Sequence, residues 1–234
     1  MKPALSLSLL ALLVSLAMIS TDLFAGKGGK RGQRGGQAVK TMLDRNEASH
    51  LTFMREEEKL ARDVYLTFAA MYPEQTVFNR IATRSEQTHT DVMRDNLDRY
   101  QLEDPNPNTN NLPESIGVFT GDEWGWYFTE KFNALVTQGE NSELDALYAG
   151  AFIEELDMHD IAVCPEVMVN EGYNNPCGLE YTDESGLINA YRSLINGSEN
   201  HLRSYVGKIE AIIGVGNYEA QYLSQSEVDK ILGR

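Results

Sequence analysis

The sequence predicts an all-α fold, a four-helix bundle with one long crossover and short accessory helices. Apolar residues recur at helical spacing over four long stretches, and no stretch sustains the two-residue alternation of a half-buried strand. The run Asp104-Pro-Asn-Pro-Asn-Thr-Asn-Asn-Leu-Pro113 breaks regular structure and divides the four stretches into two pairs. A chain of 234 residues with 42% hydrophobic content is long enough to bury one core, so a single domain is expected after the termini are set aside.

The first stretch covers about 47–71, with Phe53, Leu60, Val64 and Phe68 on one stripe and Pro73 as its stop. Glu57 falls mid-stripe, Glu56 lies at its edge, and Glu58 is expected to point well away. The second stretch, about 76–100, carries Ala82, Glu86, His89, Met93, Leu97 and Tyr100 on one face. After the crossover, Thr120-Gly-Asp-Glu123 reads as the start of a shorter helix, and Trp124-Gly-Trp-Tyr-Phe128 as core aromatics. The third long stretch follows Gly139-Glu-Asn-Ser142 and runs to about residue 163, with Leu144, Tyr148, Ala151, Met158 and Ala162 aligned. Glu155 sits on that stripe, Glu154 off-centre, Asp157 nearly opposite and His159 on the flank. The fourth opens at Thr182-Asp-Glu-Ser185 and aligns Leu187, Tyr191, Leu194, Ser198, His201, Tyr205 and Ile209, so His201 faces inward. A short helix at about 226–232 ends the chain.

Each half thus offers an inward carboxylate on its first helix and an inward histidine on its second. A buried Glu is costly unless something pairs with it, so either a cation or a hydrogen-bond network is expected among Glu57, Glu86, His89, Glu155 and His201. Glu86 and His89 form Glu-x-x-His, and the whole set is nearly the arrangement that builds dinuclear iron or manganese sites in ferritin-like bundles. The departure is Ser198, where a second Glu-x-x-His would place a Glu. Three carboxylates and two imidazoles are one carboxylate short of the usual six side chains, so one ion, two ions or none all stay open. Iron is the expected metal, with Mn or Zn not excluded.

The motifs Met54-Arg-Glu-Glu-Glu-Lys-Leu-Ala-Arg-Asp-Val-Tyr65, Ser85-Glu-Gln-Thr-His89, Ile153-Glu-Glu-Leu-Asp157 and Gly197-Ser-Glu-Asn-His-Leu-Arg203 occur in that order. In them the chain resembles the bacterial and archaeal ferritin-like family catalogued as domain of unknown function 2202, over about 46–210. The resemblance implies a ferritin-like fold more firmly than any activity. The Cys-flanked segment looks like an insertion relative to shorter members.

The termini and charge add a compartment. Lys2, an apolar run from Ala4 to Ile19 and then Leu23-Phe24-Ala25 read as a signal peptide over 1–25; an uncleaved anchor is the lesser alternative, because the run is short. Residues 26–45 are expected to be a flexible Gly-rich basic tail, and 46–234 the helical domain. Export to the periplasm or cell exterior follows, with no stable membrane insertion after cleavage. In such a compartment Cys164 and Cys177, the only cysteines, most simply form one disulfide. Beyond the tail the chain is more acidic than its overall net charge of −15, which argues against nucleic-acid binding. No nucleophile triad, phosphate loop or dinucleotide fingerprint occurs. The reading is an exported ferritin-like protein binding Fe or a similar metal, a candidate di-metal oxidase or peroxidase. The alternative is a metal-free bundle acting as a structural or partner-binding envelope protein. A homodimer stays open, and the redox partner is unidentified.

Overall fold

A computed structural model describes residues 42–173 and 176–234, which belong to one compact unit. The signal-peptide expectation and nearly all of the tail expectation lie outside the described residues. Every regular element among the described residues is helical. Helix α1 (Arg45–Met71) begins at a capping box: Asp44 accepts from the Glu47 N–H at 2.9 Å, and Glu47 accepts from the Asp44 N–H at 3.0 Å. Helix α2 (Thr76–Ile81) runs through a π-helical turn (Ala82–Glu86) into α3 (Gln87–Tyr100) as one rod, which Gln101 ends in the left-handed region at φ 60°. After the crossover come α4 (Gly125–Gly139), α5 (Glu143–Ala162), capped by Ser142, and α6 (Glu166–Asn170). Helix α7 (Ser185–Ile213) is the longest at 29 residues, and α8 (Gln225–Leu232) starts from a second capping box at Ser224.

Helices α5 and α7 pack along each other; α1 packs on the α2–α3 rod, on α4 and on α5, and α3 also meets α7. Phe53 shows why α4 belongs to the core. Its ring lies 5.6 Å from Trp124 and 4.8 Å from Phe128, centroid to centroid, each such pair contributing about 0.5–1.5 kcal/mol beyond area burial. The expectation of core aromatics holds for Trp124 and Phe128, while Trp126 is 49% exposed.

The outer face of α1 is not solvated. Arg55, Lys59 and Arg62 are buried there, and the crossover is tied down on them. Arg55 donates to both oxygens of Asp104 at 3.1 and 2.9 Å, Lys59 to the Ser115 carbonyl at 2.8 Å, and Arg62 to the Thr109 carbonyl at 2.9 Å. Asp63 compensates from within α1, pairing with Lys59 and, at 2.7 Å, with Arg62. Glu56, Glu57 and Glu58 are all buried, as expected for Glu57 and against the expectation that Glu58 points well away. Cys164 and Cys177 lie at disulfide-bonding distance, bracketing α6, a helix the sequence did not announce. No helix among the described residues is long and apolar enough to cross a membrane.

Candidate metal centre

Four helical elements each bring charged or imidazole groups to one buried point. α1 supplies Glu58, the rod supplies Glu86 and, one turn later, His89, α5 supplies Glu154, and α7 supplies His201. Glu86 closes the π turn, a wide turn that carries one extra residue and recurs at functional sites. It is the shared member of two groups. Its Oε2 stands 3.3 Å from His89 Nδ1, and its Oε1 stands 2.8 Å from His201 Nδ1. Glu58 Oε2 faces His89 Nδ1 at 3.2 Å, and Glu154 Oε2 faces His201 Nδ1 at 3.2 Å. The two imidazole rings lie 5.5 Å apart between centroids. Tyr65 fixes Glu154 from behind, donating to its Oε1 at 2.6 Å, and the Tyr65 ring packs on Tyr205 at 5.2 Å.

Two glycines make this approach possible. A Cβ on Gly197 of α7 would come within 2.5 Å of His89 Nε2, and one on Gly150 of α5 within 2.7 Å of the Tyr205 ring. Both glycines therefore answer to the site rather than to helix propensity, which disfavours them.

The electrostatics are set by carboxylates and imidazoles held close together away from water. Burial alone would lower the pKa of His89, but Glu58 and Glu86 overcome it and hold the imidazole at about 12; Glu154 and Glu86 do the same for His201, to about 10. Burial alone would raise Glu86, yet the two imidazoles hold it well below the usual carboxylate range. Burial is the main cause that raises Glu58, to about 7, and Glu154. With protons as the only cations, the centre is a carboxylate held between two imidazoliums. A metal fits the same geometry: two ligand atoms about 2.1 Å from one ion at right angles stand about 3.0 Å apart, and the Nδ1–oxygen separations bracket that value. Glu58 Oε1 is also buried without a hydrogen-bond partner.

Of the five residues singled out from the sequence, Glu86, His89 and His201 meet here, and Glu57 and Glu155 do not. Their neighbours Glu58 and Glu154 stand in the places expected for them, so the expectation that Glu58 points away is also corrected. The physical reason is that α1 and α5 are covered on more than one side. Glu57 shares the Phe53, Leu60 and Val64 stripe beneath α4, whereas Glu58 shares a second fully buried stripe of Leu51, Met54, Ala61 and Tyr65. On α5 the buried stripe through Leu147, Gly150 and Ile161 carries Glu154, one residue out of phase with the stripe read from sequence. Met54 with Tyr65, and Leu147 with Ile161, were the available signals.

Glu155 has a different task. Its Oε1 accepts from the Tyr218 hydroxyl at 2.7 Å and its Oε2 from the N–H groups of Gln221, Tyr222 and Leu223 at 2.9, 2.6 and 2.9 Å, pinning the segment between α7 and α8. Glu57 is buried with one oxygen unpartnered; burial and then the charges of Asp160, Asp157 and Glu58 raise its pKa. His50, which sequence reasoning passed over, is fully buried, with Nδ1 2.8 Å from the Tyr191 hydroxyl and Nε2 2.8 Å from the Asp160 carbonyl. Burial lowers it to about 4, so it is a neutral structural histidine. Tyr191, aligned on the same stripe as His201, serves His50.

An all-helical fold with buried Glu/His groups able to hold a metal defines the class of this protein. The chain belongs to the family described as Uncharacterized protein domain (DUF2202), whose model matches residues 47–234. It is similar to Uncharacterized protein MJ0754 of Methanocaldococcus jannaschii, 38% identical over 193 residues that cover 82% of this chain and 90% of that protein. The crystal structure of hypothetical protein MJ0754 from Methanococcus jannaschii superposes with a TM-score of 0.68 at 36% identity, over 85% of this chain and 98% of that one.

Proposed function

We propose that this protein is a ferritin-like four-helix bundle that holds two transition-metal ions, iron in the first place, for oxygen or peroxide chemistry in an exported compartment. The observation that carries the reading is Glu86, whose two oxygens each face a different imidazole, with Glu58 and Glu154 completing the two groups. Carboxylates with imidazoles suit iron or manganese, and they also suit zinc. Bound there, the metal would supply Lewis-acid and one-electron chemistry. The chain's own part is distinct: Glu86 links the two groups, Tyr65 orients Glu154, and burial of all five side chains keeps bulk water away.

The test is elemental analysis of the full chain purified without chelators, and again after anaerobic addition of Fe(II). Two metals per chain are expected; background metal in both preparations overturns the reading. That outcome would favour a metal-free network in a structural or partner-binding protein. The imidazolium–carboxylate contacts already at hydrogen-bond distance support this second reading. Export is part of the proposal, and a Cys pair at disulfide distance fits an oxidising compartment. The native protein should then begin near Gly26, and N-terminal sequencing that still reads Lys2 removes this part.

A further inference from the structure

Glu58, Glu86 and Glu154 carry three negative charges, whereas two divalent cations with neutral imidazoles bring four positive ones. A buried site left with net charge is costly, so one more carboxylate is called for. The matching position on α7, three residues before His201, holds Ser198, which cannot supply it. The Ser198 hydroxyl instead donates at 2.5 Å to Asp157 Oδ2, across the α5–α7 interface.

Asp157 is 4% exposed and lies one turn beyond Glu154 on the same buried stripe of α5. Its other oxygen, Oδ1, is buried with no hydrogen-bond partner. Asp157 lies outside both groups of close-set ligand atoms, but it is tied to the cluster by its place one turn from Glu154 and by its bond to Ser198, one turn before His201. An unpartnered buried carboxylate oxygen costs free energy in the metal-free protein and so needs a reason to be kept.

We infer that Asp157 is the fourth carboxylate of the metal centre, held by Ser198 and standing in from α5 for the Glu that α7 lacks. The inference rests on the two-metal reading above and adds to it a ligand and a supporting hydroxyl. It makes the charges balance, with four carboxylates against two divalent ions. It also gives Ser198 a role: the serine is small enough to leave room for Asp157 and polar enough to aim it.

The experiment counts Fe(II) bound per full-length chain after chelator stripping, anaerobic addition and desalting, with affinities from chelator competition. Wild type should hold two ions. D157N, which keeps the size and can keep the hydrogen bond to Ser198, should hold one, or hold the second at least about tenfold more weakly. S198A should weaken the second ion less than D157N does. In D157A/S198E the carboxylate moves to α7, and the count should return to two. Thermal melting of the stripped proteins separates a ligand from a structural residue. A ligand predicts stripped D157N melting at or above wild type, because a strained buried carboxylate has been removed. Wild-type metal content and affinity in D157N, or a lower stripped melting point with the count still at two, overturns the inference while leaving the two-metal reading intact. No metal in wild type sinks the reading beneath it.

Discussion

The two halves of the centre solve one problem with different helices. In the first half the rod supplies both a carboxylate and an imidazole, Glu86 and His89, and α1 adds Glu58. In the second half α7 supplies only His201, and α5 adds Glu154. Their compensation differs as well. Glu154 divides its oxygens between Tyr65 and His201, whereas Glu58 satisfies only one oxygen and leaves Oε1 bare. The first half is therefore the less satisfied without a metal and has more to gain from one. What the two halves share is a position for negative charge around Glu86, and which helix delivers it is secondary.

Glu86 is where both halves break together. Replacing it with Ala removes the shared carboxylate and leaves two buried imidazoles facing each other, so on the two-metal proposal both ions should be lost. Truncating one partner of a buried ion pair costs about 3–5 kcal/mol, and the metal-free protein should lose stability on that scale in urea unfolding. Wild-type metal content in this variant would detach Glu86 from the site.

Lesions confined to one half should come next in size. His89→Ala and His201→Ala are each expected to remove one ion, and the loss of metal-linked stabilisation should show in melts of loaded against stripped protein. Gly197→Ala sharpens the contrast, because its Cβ would meet the His89 ring and not His201. Overpacking of that kind costs about 1–3 kcal/mol, and the accompanying affinity loss should fall on one ion only. Equal weakening of both ions would mean that the halves are not independent.

A smaller, graded effect separates metal from protons as the cations at the centre. In the metal-free protein Glu58, Glu154 and Asp157 bind protons more tightly folded than unfolded, and so do His89 and His201. Where the folded state holds more protons, stability falls as pH rises. The Glu58 contribution is complete below 4.5 and lost by about 7. The imidazole contribution is complete below 6.5 and lost as pH climbs through about 10 for His201 and about 12 for His89. Glu86 and His50 are among the groups that act in the opposite sense. Glu86, held low, contributes above its ordinary range and loses that contribution in acid, and His50 loses its contribution as pH falls from 6.5 to about 4. Stripped protein should therefore melt progressively lower from neutral to alkaline pH. The metal-loaded protein should not follow it, because ligation displaces those protons and strengthens with pH. Parallel melting curves with and without added Fe(II) would show that these side chains do not exchange protons for metal.

The long helices were legible because apolar spacing survives in all four. Glu86, His89 and His201 were legible because the rod and α7 carry one dominant buried stripe each. The phase of α1 was not, since Arg55, Lys59 and Arg62 mark an outer face that the sequence presents as solvent-exposed and the crossover buries. α5 failed similarly: packed against α1, α4 and α7, it has two nearly equal apolar stripes, and period alone does not say which one meets the histidines. The π turn left no signature, because Ala82-Thr-Arg-Ser-Glu86 reads as ordinary helix.

That one-residue phase difference yields the mildest expected effect on the centre, and a sharp one. Glu154→Gln should cost metal, because it removes the charge facing His201. Glu155→Gln should leave the metal count unchanged, because Glu155 spends both oxygens on Tyr218 and on three backbone N–H groups. Hydrogen bonds to a charged acceptor contribute about 1.5–3 kcal/mol each, and an amide in its place keeps one good acceptor. Glu155→Gln should therefore destabilise locally, raising hydrogen exchange and protease sensitivity in the segment from Gly214 to Ser224 while the core stays protected. Glu57→Gln belongs with it: burial and neighbouring carboxylates already favour its protonated form, so a neutral isostere should be tolerated with metal content unchanged. Reversal of the pattern, with Glu155→Gln or Glu57→Gln losing metal and Glu154→Gln keeping it, would return the site to the phase read from the apolar stripes and displace Glu58 and Glu154 from it.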